Sequence, residues 1–252
     1  FFELGMNALE ETREAIFFAG ATVRADFQGN IWDVPLNSWR DGVYYPPEGF
    51  IEMLKKGHPE CTGIIFKREV LSRVCIDTMT GMASDVDFEL RIAATHAIVV
   101  SKMPCAIFLS HPSSATSKGR LNNSWPGWLR MIENICSIEE LPNEVREQAR
   151  RLLMIRLRNR VFMAGVRGAM NGFKQDALQA GEILRDHFGD SFRTSLLHML
   201  TSDSLIEDFL YYVLCVIRFI RRLYRKKTIS FRWQQKYRCL KDFLNNHLPN
   251  RE

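Results

Sequence analysis

A mixed α/β fold with a sheet flanked by helices, followed by an all-helical C-terminal region, is what this 252-residue sequence predicts. Two observations carry that reading. Up to about residue 125, short apolar runs alternate with turn clusters, the pattern of strands and helices punctuated by loops. From residue 126 onward, apolar residues recur at spacings of three and four over long stretches, the pattern of helices. The chain therefore divides into residues 1–125 and residues 126–252, the second part carrying a basic amphipathic tail.

Taken in order, Phe2 to Glu11 has helical spacing and Ala15 to Arg24 is an apolar run of buried-strand type. Asp26-Phe-Gln-Gly-Asn30 reads as a turn into a second strand, and Trp39 to Gly49, with Pro46-Pro47, as a loop. Gly63 to Phe66 reads as a short strand leading to a helix at Arg68 to Val74. Ser84 opens another helix through Thr95, and Ala97 to Ser101 and Cys105 to Ser110 are two strand-like runs around Pro104. Five helical patterns follow, at Leu141 to Arg160, Val166 to Phe188, Ser191 to Leu200, Leu205 to Lys227 and Phe231 to His247.

The net charge of +5 is unevenly spread. Arg218 to Lys241 holds ten Lys and Arg and no acid, which leaves 24 basic against 29 acidic residues elsewhere. An anionic partner is thus expected for that segment alone. The six cysteines are scattered without zinc-site spacing, so buried, reduced thiols and a cytoplasmic location are expected. No run reaches the roughly 18 apolar residues of a membrane span, and the opening Phe-Phe suggests a piece of something longer.

Chemistry is concentrated in Ser84-Asp-Val-Asp-Phe-Glu-Leu-Arg-Ile-Ala93, where two carboxylates stand two residues apart at a helix start. Capping explains such a pattern equally well: Ser84 is a good N-cap, and acids in a first turn favour its exposed N–H groups. The stretch also resembles the E-D-x-D-x-x-L-R motif of family 2 glycosyltransferases, with Ser84 in place of the Glu. Cys61-Thr-Gly-Ile-Ile-Phe-Lys-Arg-Glu-Val-Leu71 is similar to that family's preceding T-G-hydrophobic-F-R-R-E-V-L segment, and Asp77 to its short loop acid. Cys105 to Ser117 resembles its strand ending in H-x-x-S-x-S, at His111. Three elements in the family's order between residues 61 and 117 are far more specific than any one.

This resemblance covers about the first 120 residues and implies a partial GT-A fold, the C-terminal half of a family 2 glycosyltransferase domain. It implies an inverting transfer of a sugar from a nucleotide-sugar donor to a hydroxyl of a glycan, lipid or protein acceptor. Asp85 would be the general base, His111 a ligand of a divalent metal (Mg or Mn), and Gly63, Asp87 and Arg91 donor- or acceptor-binding residues. No D-x-D precedes residue 61 and no Gly-rich phosphate loop is present, so the nucleotide-binding half is expected to be missing and the isolated fragment inactive.

In the tail, Leu205 to Lys227 sets an apolar stripe against Arg218, Arg221, Arg222 and Arg225. A helix packed in a bundle with a solvated basic face explains this pattern; a helix on the inner, anionic face of a membrane is the alternative. Nucleic acid is not expected as a partner, because no nucleic-acid module surrounds these residues. Arg150, Arg151, Arg156, Arg158 and Arg160 read as another solvated bundle face. The rival to the enzyme is a non-catalytic scaffold or membrane-adapter domain that keeps the fold, with Ser84 its strongest support. A metal hydrolase using Asp85, Asp87 and His111 is the third class, and it lacks a second cluster of ligands.

Overall fold

The computed structural model describes residues 1–111, 121–201, 213 and 231–247. Its centre is strand β1 (Ala15–Asp26), whose first nine residues are all buried. A continuous apolar run of this kind belongs to a strand covered on both faces. Helix α1 (Phe2–Glu11) covers one face, where Leu9 meets Ala15, Phe18, Ala97 and Val99. The other face carries Phe17, Ala19, Ala21 and Val23 into the main core.

Around β1 the sheet is mixed. Strand β2 (Ile31–Asp33) pairs antiparallel with its C-terminal end and β4 (Ile64–Phe66) antiparallel with its N-terminal end. On the other edge β5 (Ala97–Ser110) runs parallel to β1 along its whole length, and β3 (Gly42–Tyr44) closes the sheet antiparallel to β5. Pro104 does not split β5 into two strands as the sequence suggests. The register shifts beside it, between Gly20 and Thr22, and the irregularity absorbs the missing amide within one strand. Strand β3 lies in the segment read from sequence as a loop, because three residues are too few to show alternation.

Helices α2 (Glu48–Lys56), α3 (Val70–Arg73) and α4 (Ser84–Thr95) belong to this part, and α4 matches its predicted span. Then come α5 (Leu121–Cys136), α6 (Asn143–Met170), α7 (Lys174–Phe188), α8 (Ser191–Met199), α9 (Phe231–Lys236) and α10 (Arg238–His247). The sequence reading missed α5, whose Pro126 looks like a stop and instead sits inside the helix. It also broke α6 after Arg160. Gly165, taken for a breaker, is a contact glycine: a Cβ there would lie 2.6 Å from Ala180 Cβ, so its absence lets α6 and α7 approach closely. The break comes at Asn171-Gly172, where Gly172 has φ +79°.

The 125/126 boundary falls within α5, and a single core cluster holds β1, α2, α4, α5, α6 and α7 residues together. No helix among the described residues is long and apolar enough to cross a membrane. The predicted amphipathic helix at 205–227, with Leu205, Arg218, Arg221, Arg222 and Arg225, lies outside the described residues. The cysteines depart from expectation: the five described are free, yet Cys61, Cys75 and Cys239 are exposed and Cys105 and Cys136 half-buried. Cys61 and Cys75 sit in turns at the ends of elements, where no apolar stripe draws them inward.

Candidate functional site

Helix α4 carries three acids, and the fold gives each a different environment. Asp85 is exposed in the first turn, where its Oδ1 accepts a hydrogen bond from the Val86 amide at 2.8 Å. Asp87 and Glu89 are buried, at 0% and 1% exposure. Ser84 is not the cap that the sequence suggests. Ala83 holds that place without a side-chain bond, and Ser84 already has helical backbone angles.

Asp87 is a strut. Its Oδ2 accepts from Arg91 one turn later, through Nε at 2.9 Å and Nη2 at 2.7 Å, and its Oδ1 accepts from Asn134 of α5 at 3.1 Å. Arg91 Nη2 also donates to the Cys75 carbonyl at 2.6 Å, and Asn134 bonds Asp77 Oδ2 at 2.9 Å. Asp77 in turn takes Met79 N–H and Arg130 Nε, and these bonds, Asn134 foremost, hold its carboxyl below the usual range. Burial raises the Asp87 carboxyl, with Arg91 and Asn134 opposing it. Asp87 and Arg91, predicted to bind donor or acceptor, are thus engaged in tying α4 to α5 and to the loop at Cys75.

Glu89 belongs to a second group that sequence reasoning missed. His58, in the loop after α2, places Nδ1 at 2.7 Å from the Pro59 carbonyl and 3.2 Å from Glu89 Oε2. Those two acceptors place a proton on Nδ1. Burial pushes the Glu89 carboxyl up to about 7, against the pull of His58, and Asp85 adds to the rise. Burial alone would lower His58, but the hydrogen bond and charge of Glu89 outweigh it, and Asp85 contributes in the same sense. Glu89 Oε1 has no partner among the described residues.

Gly63 ends the short 3-10 turn Cys61–Gly63, buried against β1. A Cβ there would lie 2.4 Å from Thr22 Oγ1 and 2.6 Å from the Gly20 carbonyl oxygen. The close approach predicted toward a donor sugar is made here toward the protein's own central strand. Cys61, at the head of the turn, has its thiol raised by burial, then by Glu89 and Asp85. The turn and the start of α4 therefore lie within electrostatic reach of each other. His111 stands exposed just past the β5 terminus, beyond the Asp26–Ser110 pair.

A cavity of about 90 Å³ opens between α2, α4, α5 and α6, with Val86 of α4, His58, Arg156 and Arg160 among its lining residues. Arg160 feels the Asp85 charge and lies 3.7 Å from the centre of the Trp128 ring, while Arg156 donates to the Leu54 carbonyl. Both arginines are exposed, as the solvated face read from sequence expects, although each lays part of its side chain on the cavity wall. Their spacing from Leu153 and Leu157 was the available signal: residues 153, 156, 157 and 160 share one side of the helix, the leucines buried and the arginines at its exposed margin. Comparison with protein-family models, curated proteins and solved structures finds no match to this chain.

Proposed function

We propose that this chain supplies the acceptor side of an inverting glycosyltransferase, with Asp85 as the general base. The observation that carries it is the division of labour on α4: of three acids, Asp85 alone is open to solvent, next in sequence to Val86 of a cavity wall, while Asp87 and Glu89 are held in the interior. The resemblance of residues 61–117 to family 2 glycosyltransferases supports the same assignment. Asp85 would accept the proton of an acceptor hydroxyl within hydrogen-bond reach as the oxygen attacks the anomeric carbon of a nucleotide sugar. The Asp87–Arg91–Asn134 strut fixes the helix that presents it.

A divalent metal would neutralise charge growing on the diphosphate leaving group in such a reaction. Among the described residues no three His, Cys, Asp or Glu side chains converge where they could hold a cation. His111 is then one donor and not a centre, and nothing attributed to Asp85 passes through a metal.

The test is nucleoside diphosphate release from a panel of nucleotide sugars by the full-length protein. Asp85→Asn is expected to lower turnover by about 100-fold or more with an unchanged melting temperature. Turnover that survives the substitution would reduce Asp85 to a residue that serves its own helix terminus.

A further inference from the structure

We propose that the cavity beside α4 binds a phosphate group carried on a short apolar stem. Its walls are mostly apolar, with Leu54, Leu90, Met131 and Leu157 among them. Arg156 and Arg160 interrupt them, four residues apart on α6 and so on one face of that helix. Among the other described arginines Arg24, Arg91, Arg130, Arg158 and Arg193 each meet a carboxylate, whereas surface arginines such as Arg40, Arg150 and Arg151 do not and lie outside this cavity. Among the described residues Arg156 and Arg160 meet none: one donates to a neutral carbonyl, the other covers an indole ring.

Both residues are exposed, yet each is partly covered by the cavity wall, which lowers both guanidinium pKa values by burial. Cations laid partly on apolar surface without a carboxylate in contact carry a desolvation cost, and an anion that enters relieves it. Two guanidiniums one turn apart suit the several oxygens of a phosphate, which Arg binds through paired N–H donors. His58 lines the cavity too, and with Nδ1 turned to Pro59 and Glu89 its Nε2 can donate to an anion only when the ring is protonated. Asp85 opposes the anion, but Arg167 reinforces the positive side, so the local balance stays positive.

Size selects the stem. At about 90 Å³ the cavity is smaller than the ~150 Å³ apolar cavity that takes up benzene, so it accepts a few carbons and not a ring or a whole lipid chain. As a binding site it stands on the cavity alone. As the seat of the acceptor's phosphate it rests on the reading of Asp85 as base.

Calorimetric titration of the chain at low ionic strength, with butyl phosphate, inorganic phosphate and 1-butanol, tests the site. Butyl phosphate is expected to bind tighter than inorganic phosphate, and butanol not to bind. Arg156→Gln and Arg160→Gln should each weaken butyl phosphate by about tenfold, Arg151→Gln, exposed on the same helix, should not, and Asp85→Asn should bind tighter. Equal affinity for the two phosphates, or unchanged affinity in both cavity variants, overturns the site. A measurement independent of any variant is the methyl resonances of Met53 and Met131 in the cavity wall: they shift on adding butyl phosphate, and their failure to move rejects it. Binding that persists while Asp85→Asn leaves turnover intact would remove the transferase reading and keep the phosphate site.

Discussion

Asp85 and Asp87 stand two residues apart with opposite assignments, and stability separates them. Asp87→Ala leaves the Arg91 guanidinium, with only 18% of its side chain exposed, without its carboxylate. Loss of one partner of such a pair should destabilise the fold by about 3–5 kcal/mol, whereas Asp85→Asn should stay within about 0.5 kcal/mol. Urea unfolding of both variants measures the contrast, and equal costs would deny Asp87 its role as a strut. Glu89 makes the pH prediction. Its folded pKa of about 7 lies above its ordinary value of 4.5, so the folded state holds a proton that the unfolded chain has released. Stability must then fall as pH rises from about 4.5 to about 7, by roughly 3 kcal/mol at most, and His58, also raised, extends the decline in the same direction. Glu89→Gln should flatten the profile measured by denaturant unfolding between pH 5 and 8; a wild-type profile already flat there would contradict it.

At the scale of elements, the turn Cys61–Gly63 is held against β1 by the lack of a side chain at Gly63. Gly63→Ala should cost about 1–3 kcal/mol through overpacking on Gly20 and Thr22, read as a lower melting temperature. Retention of wild-type stability would mean that the turn can move off the strand, reopening the sequence expectation that Gly63 makes room for a ligand. Most helices and the long strand were legible from periodicity, including α1, β1 and α4. Strand β3 was not, being three residues long, and neither was α5, whose Pro126 lies inside the helix, where a proline ordinarily disfavours one. Gly127 packs against the Thr80 carbonyl, a contact that no local pattern announces.

The whole molecule joins what the sequence divides. The fold places the 125/126 boundary inside α5 and shares one core between the sheet and the helical region. A fragment of residues 1–125 would lose Met131, Ile132, Ile135, Leu153 and Leu157 from that core. It is expected to lack cooperative unfolding and dispersed amide resonances; a well-dispersed spectrum would establish residues 1–125 as a folding unit. The candidate site has the same shared origin, with Asp85 on α4 within electrostatic reach of Arg160, and with His58 after α2 and Arg156 and Arg160 on α6 lining the cavity.

Local composition determined much about this protein: the strand that must be covered on both faces, the helix that presents Asp85 in its first turn, and a motif order that suggests sugar transfer. These follow from neighbours in the chain, whose periodicity and caps act over a few residues. Which acid of α4 reaches solvent, which arginines lack a carboxylate, and where Gly63 needs its missing side chain were decided only by tertiary packing. Burial, pairing and charge influence arise between residues as far apart as His58 and Glu89, which pair, or Asp85 and Arg160, which sense each other's charge, and no spacing along the chain encodes those distances.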